Sequence, residues 1–167
     1  VIVFGRYTLE YFKDTSNENF AFTRQTDRAQ KIGIVATHAK CELSGGYFIC
    51  GSRKEESLGI HQIGIGQSVK VSSREVDKIL AQYTEPELAD IRLEGRMEGD
   101  VSFLYVHLPN ETIVLNVTLI STVGLESAWS ILNSYGLVYR GINGVFDPNR
   151  GYWCYGDKFN SNIGKLD

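Results

Sequence analysis

An apolar strand ending at a small turn, a polar loop and a second apolar strand recur four times along this chain, and no other feature limits its fold as much. VIVFG leads to YTLEYF, and GYFICG leads through a polar loop to GIHQIG. VSFLYVHLPN leads to ETIVLNV, and GYWCYGD to NIGKLD. The first strands end at Phe4, Cys50, His107 and Tyr155, at spacings of 46, 57 and 48 residues. Short strands repeating every roughly 40–50 residues are the pattern of β-propeller blades.

Alternation and turn residues predict strands at 1–4, 7–12 and 20–23, the last after the polar turn DTSNEN. A second group covers 32–38, 47–50, 60–65 and 69–71, and a third 92–97, 101–108, 112–120 and 128–132. A fourth covers 138–142, 152–155 and 163–166. Grouped as three, four, four and three, these make an all-β fold of about three and a half four-stranded blades. The first blade lacks an opening strand and the last a closing one, which leaves raw sheet edges. The strand at 101–108 is apolar on both faces and belongs between two sheets. The strand at 112–120 puts Ile113, Leu115, Val117 and Leu119 on one face and Thr112, Asn116 and Thr118 on the other, which places it further from the middle. Residues 1–167 read as one partial propeller domain, and a start at Val1 inside a strand, without Met, reads as a fragment of a longer chain.

One helical insertion, near 73–91, accounts for the longest interval. Val76, Ile79, Leu80 and Tyr83 fall at i, i+3, i+4 and i+7 behind an N-cap at Ser72 or Ser73. Thr84 and Glu87 have capping-box spacing for a second short helix, with Pro86 in its first turn.

Composition excludes several classes. With 43% apolar residues, 11% aromatic residues and three prolines the chain is globular, not disordered. Its net charge of −3 supplies no basic field for gripping DNA or a membrane, and no apolar run approaches the ~20 residues of a membrane helix. Cys41, Cys50 and Cys154 lack CxxC spacing and are expected to be structural thiols in a reducing compartment.

Chemistry-bearing motifs are sparse. His38, His61 and His107 fall in predicted strands of different blades, without metal-ligand spacing. Glu55 and Glu56 sit in the charged turn RKEES, and Asp147 to Gly151 carry hairpin-turn residues at each position. Gly64-Ile65-Gly66 is a strand-end turn without the helix a phosphate loop needs. Asn110 and Asn116 match the glycosylation sequon but read as polar strand residues. Trp129 and Trp153 suit packing between blades, although a groove Trp also binds sugar or protein. No nucleophile, base and orienting group come together. The expectation is a non-enzyme, with no catalytic, cofactor-binding or metal-binding residues and no cofactor.

Several ordered stretches carry a resemblance. VKVSSREVDKILAQYTEPE runs from Val69 to Glu87, and EGDVSFLYVHLPNETIVLNV from Glu98 to Val117. Trp129, VYRGIN from Val138 and the closing GYWCYGDKFNSNIGKLD follow in order, after the opening VIVFGRYTLEYF. Together they resemble the packaged-DNA stabilisation proteins of short-tailed bacteriophages, the tail-hub or head-completion family at the portal vertex. That resemblance implies a ring-forming propeller in the virion, assembled in the bacterial cytoplasm against itself, the portal or adaptor and tail proteins. It implies that packaged double-stranded DNA passes through its channel without sequence-specific contacts, and no membrane. The other readings of the same fold are a kelch-type interaction propeller and a glycoside hydrolase; the latter needs converging carboxylates.

Overall fold

The computed structural model describes residues 1–16 and 20–165; residues 17–19 of the DTSNEN turn, and Leu166 and Asp167, lie outside the described residues. Among the described residues sixteen strands form four antiparallel sheets in chain order. Blade 1 holds β1 (Ile2–Phe4), β2 (Leu9–Asp14) and β3 (Phe22–Gln30). Blade 2 holds β4 (Gly33–Ile34), β5 (Lys40–Leu43), β6 (Gly46–Ser52), β7 (Gly59–Gly64) and β8 (Gln67–Lys70). Helix α1 (Arg74–Leu80) and a 3-10 turn (Glu87–Asp90) precede blade 3. That blade holds β9 (Arg92–Glu98), β10 (Val101–His107) and β11 (Thr112–Asn116), then the single-turn α2 (Ile120–Val123), β12 (Trp129–Ser134) and β13 (Leu137–Val138). Blade 4 holds β14 (Gly141–Asp147), β15 (Tyr152–Asp157) and β16 (Ile163–Lys165).

The four-stranded reading holds for blade 2 despite its five strands, while blade 3 carries a fifth, β13, beyond β12. Strands β4 and β5 pair along the same edge of β6, β4 at Gly51 and Ser52 and β5 between Gly46 and Ile49, so they are two pieces of one blade strand. The sequence predicts an unbroken strand over 32–38. It breaks after Ile34 at a turn in which the Ala39 amide donates to the Ala36 carbonyl at 3.1 Å; Gly33, within β4, packs on blade 1, where a Cβ would lie 2.1 Å from the Gly5 carbonyl oxygen. His38 consequently sits in an exposed turn, not in a strand.

Two further predicted strands are corrected. The segment 138–142 is split between blades, with Leu137 and Val138 closing against β12 while Gly141 opens β14. The strand predicted over 112–120 ends at Asn116, whose side chain caps the following turn by accepting from the Leu119 amide at 3.1 Å. It lies between β10 and β12 and is buried on both faces, Thr112 included, so it is interior to its sheet.

The insertion forms as its pattern dictates. Ser73 caps α1 by accepting from the Val76 amide, and Val76, Ile79, Leu80 and Tyr83 all join the main apolar cluster. The Glu87 carboxylate reaches back to the Thr84 amide at 2.8 Å, half of a capping box, ahead of a 3-10 turn rather than an α-helix. Tyr83 is committed inward, its hydroxyl donating to Glu111 at 3.0 Å.

That main cluster fills the gap between blades 2 and 3 with Phe48, Ile60, Leu104, Val106, Ile113 and Leu115, among others. A smaller one, Leu9, Ile32, Ile49 and Ile63, joins blades 1 and 2. Cys50 is buried in the main cluster; burial pushes its thiol up beyond the ordinary range and that of Cys41 up to about 12. All three cysteines are free.

A candidate functional site in the seam between blades 3 and 4

Strand alternation gives blade 3 two unlike faces. Leu93, Leu104, Val106, Ile113 and Leu115 point toward blade 2. The intervening residues Arg92, Glu94 and Arg96 of β9 point toward blade 4. So do Phe103, Tyr105 and His107 of β10, which lie opposite them in register, and Thr112 of β11. The polar face would be an ordinary solvated surface on an edge sheet, but blade 4 covers it.

Glu94 is the hub of this seam. Arg96 Nη2 donates to its Oε2 at 2.8 Å, and the Gly144 amide donates to the same oxygen at 3.2 Å. The Asn143 amide donates to Oε1, which also lies 3.4 Å from His107 Nε2. The ring's other nitrogen, Nδ1, is 3.1 Å from the Thr112 hydroxyl. Two residues of β14, Asn143 and Gly144, stand opposite the single residue Tyr155 of β15, a β-bulge that turns two successive amides toward the carboxylate. Asn143 adopts a left-handed backbone at φ +54°, and a Cβ on Gly144 would meet Tyr155 at 2.8 Å and Arg96 at 3.0 Å.

Arg96 is 1% exposed, and its guanidinium lies between two rings, 3.8 Å from the Tyr105 centroid and 4.4 Å from that of Tyr155. Tyr105, His107 and Tyr139 stack in mutual contact at centroid separations of 6.2–6.5 Å. Burial by itself raises the Glu94 pKa, but His107 and Arg96 overcome it and hold the carboxyl down at about 2. Burial likewise disfavours the Arg96 cation; Glu94 and Tyr139 more than offset that, and its pKa is raised. The seam is therefore an ionised pair in which Arg96 Nη2 bonds Glu94 while its Nε and Nη1 make no hydrogen bond and lie against the tyrosine rings, and what such an arrangement does chemically is fasten two sheets together.

Of the residues singled out from sequence, only His107 belongs to this site. His61 is buried on β7, its pKa lowered to about 4 by burial and by Lys70 and Arg53. Glu55 and Glu56 occupy an exposed turn, and Gly64 to Gly66 turn β7 into β8. Asp147 Oδ1 accepts from the Asn149 and Arg150 amides, forming the β14–β15 hairpin turn as expected. Asn110 lies in an exposed turn. Trp129 fastens blade 3 to blade 2, its indole donating to the Val71 carbonyl at 2.9 Å. Trp153 instead stacks on Tyr155 in blade 4 and lines a groove of about 560 Å³ along the seam with Glu98, Tyr105, Tyr139 and Tyr152. Glu94 and Arg96 were missed, because RLEGRME reads as a solvated charged strand until its partner strand is placed opposite. The available signal was register: Tyr105 faces Glu94 across the β9–β10 hairpin. Among the described residues no group of three or more His, Cys, Asp and Glu side chains could hold a metal, and no helix is long and apolar enough to cross a membrane.

Successive antiparallel sheets in chain order, packed face against face around aliphatic and then ionic seams, define this chain as part of a β-propeller whose strongest polar cluster is structural. It belongs to the family described as bacteriophage P22 Gp10, β-propeller, whose model matches residues 1–167. It is similar to the tail hub protein gp10 of Salmonella phage P22, with 26% identity over 171 residues. The match takes in 99% of this chain and 35% of that relative, so the chain spans about a third of the relative's length.

Proposed function

We propose that this chain is a section of a longer, non-catalytic structural protein of a phage virion, which closes the DNA channel at the portal vertex and stabilises packaged DNA. The observation that carries this reading is a family match along the whole chain, together with similarity to a protein named for its place in a phage tail. On this reading copies of the protein form a ring, contact portal or adaptor and tail proteins, and let DNA pass without sequence-specific contacts. Assembly takes place in the bacterial cytoplasm and the product resides in the virion. The acidic balance of the chain suits a channel wall, since a surface with net charge −3 does not grip the phosphate backbone. The ionic seam supports a non-catalytic role: both Glu94 oxygens already accept hydrogen bonds, Oε1 from the Asn143 amide and Oε2 from Arg96 and the Gly144 amide.

Genome retention tests the proposal. Deleting the gene that carries this chain is expected to give heads that package DNA and then leak it, with rescue by added full-length protein. Heads that stay full without the protein would remove the portal role and leave a propeller acting through other partners.

A further inference from the structure

We propose that the cavity between the insertion's 3-10 turn and the facing loops of blades 3 and 4 is a docking pocket for a lysine side chain of a partner protein, with Glu87 and Asp90 as its counter-charges. Negative charge is concentrated beside this cavity. Residues 74–90 carry five carboxylates against Arg74 and Lys78, a net charge of −3 that equals the net charge of the whole sequence. Three of the five, Glu75, Asp77 and Glu85, are paired with Lys78, Lys70 and Arg6. Among the described residues Glu87 and Asp90 meet no cation, and both are exposed. They stand three residues apart on a 3-10 turn, which puts them on one side of it. The Thr84 hydroxyl and amide hold the Glu87 carboxyl below its ordinary value, so it is charged at neutral pH.

The cavity measures about 360 Å³, many times the ~30 Å³ share of one water molecule. Leu108, Pro109 and Ile142 in its wall offer apolar surface to a hydrocarbon stem. Lys158 also lines it, and its Nζ donates to the Leu108 and Pro109 carbonyls at 2.6 and 3.0 Å. This loop therefore already seats one ammonium on backbone oxygens. Two carboxylates against that ammonium leave the lining one negative charge to be neutralised. His107 is 2% exposed in the same wall, and its Nε2 has no hydrogen-bond partner. The shape of the acceptors selects lysine over arginine. Glu87 Oε2 is already taken by the Thr84 hydroxyl at 2.6 Å and amide at 2.8 Å. A guanidinium fork wants both oxygens of one carboxylate, whereas a point-charge ammonium takes a single oxygen from each of two. The acidic insertion alongside steers a basic protein segment toward the opening. This proposal deepens the reading of the chain as a virion contact protein by naming the chemistry of one contact; peptide binding to the pocket does not depend on where in the virion the chain sits.

Saturation-transfer NMR on the intact protein tests the pocket with a capped tripeptide that carries lysine between two glycines. Norleucine in its place keeps the stem and removes the charge. The lysine peptide is expected to bind on the order of tenfold more tightly than the norleucine or glutamate peptide, and more tightly than the arginine peptide. Combining Glu87→Gln with Asp90→Asn is expected to cost on the order of tenfold in lysine affinity and to leave norleucine binding unchanged. Both side chains are exposed, and an unchanged denaturation midpoint shows that the fold survives. Raising the salt to about 1 M is expected to weaken lysine binding in the unaltered protein as well. Equal binding of lysine and norleucine, tighter binding of glutamate or arginine, or a lysine affinity unmoved by the double variant would overturn the pocket. In assembled particles a carbodiimide is expected to join Glu87 or Asp90 to a lysine of a different protein through an amide bond, located by mass spectrometry. Joins only to lysines of this same protein, or none, would overturn the partner assignment.

Discussion

The two faces of blade 3 are made by the same strands, residue by alternate residue, yet they hold their neighbours by opposite means. Toward blade 2 the sheet offers Leu93, Leu104, Val106, Ile113 and Leu115, and the contact is dry aliphatic packing. Toward blade 4 it offers Glu94, Arg96, Tyr105 and His107, and the contact is one ionised pair wrapped in rings. Aliphatic packing is non-directional and tolerates small shifts, so it supplies cohesion. The polar seam is directional: it works only if a bulge presents two amides at one place, so it supplies registration between blades. The comparison teaches that a repeated fold need not repeat its glue.

Glu94→Ala breaks this contrast most severely. It strands a buried guanidinium and two bulge amides, with an expected loss of about 3–5 kcal/mol in chemical denaturation. Acidification probes the same group without mutation. A carboxyl held at about 2, against an ordinary value of 4.5, contributes stability that is complete above pH 4.5 and is lost as the pH falls toward 2. The wild-type denaturation midpoint is expected to drop through that window, with a flatter profile in Glu94→Gln; matching profiles would show that the seam is not ionic.

Leu104→Ala sharpens the other side of the comparison. A cavity among fully buried aliphatic groups is expected to cost about 2–5 kcal/mol, independent of pH between 2 and 4.5. Smallest is Trp129→Phe, which removes the single indole bond to Val71 while keeping most of the ring's packing. A loss of about 0.5–1.5 kcal/mol is expected, confined to the junction of blades 2 and 3.

These contrasts also show what was legible beforehand. The grouping of strands into four blades, the Ser73 cap and the hairpin turn at Asp147 follow from local patterns that no tertiary contact overrides. The break after Ile34 was hidden because Ile34, Val35 and Ala36 continue an apolar run into the turn that the Ala39 amide closes on the Ala36 carbonyl. Strand β5 was missed because Lys40, Cys41 and Glu42 carry little apolar alternation; of its residues only Leu43 is fully buried. The seam was least legible of all. His107 drew notice as a histidine, whereas Glu94 and Arg96 needed the β9–β10 register and a covering sheet before their charges counted as buried.

The placement of this propeller in the virion bears most directly on the account. A cryo-electron microscopy map of the tail, with the intact protein traced, is expected to show these blades in the wall of the axial channel next to the portal, with blade 4 seated on Glu94. Density placing the propeller away from the channel, with no contact to portal, adaptor or DNA, would contradict the proposed role.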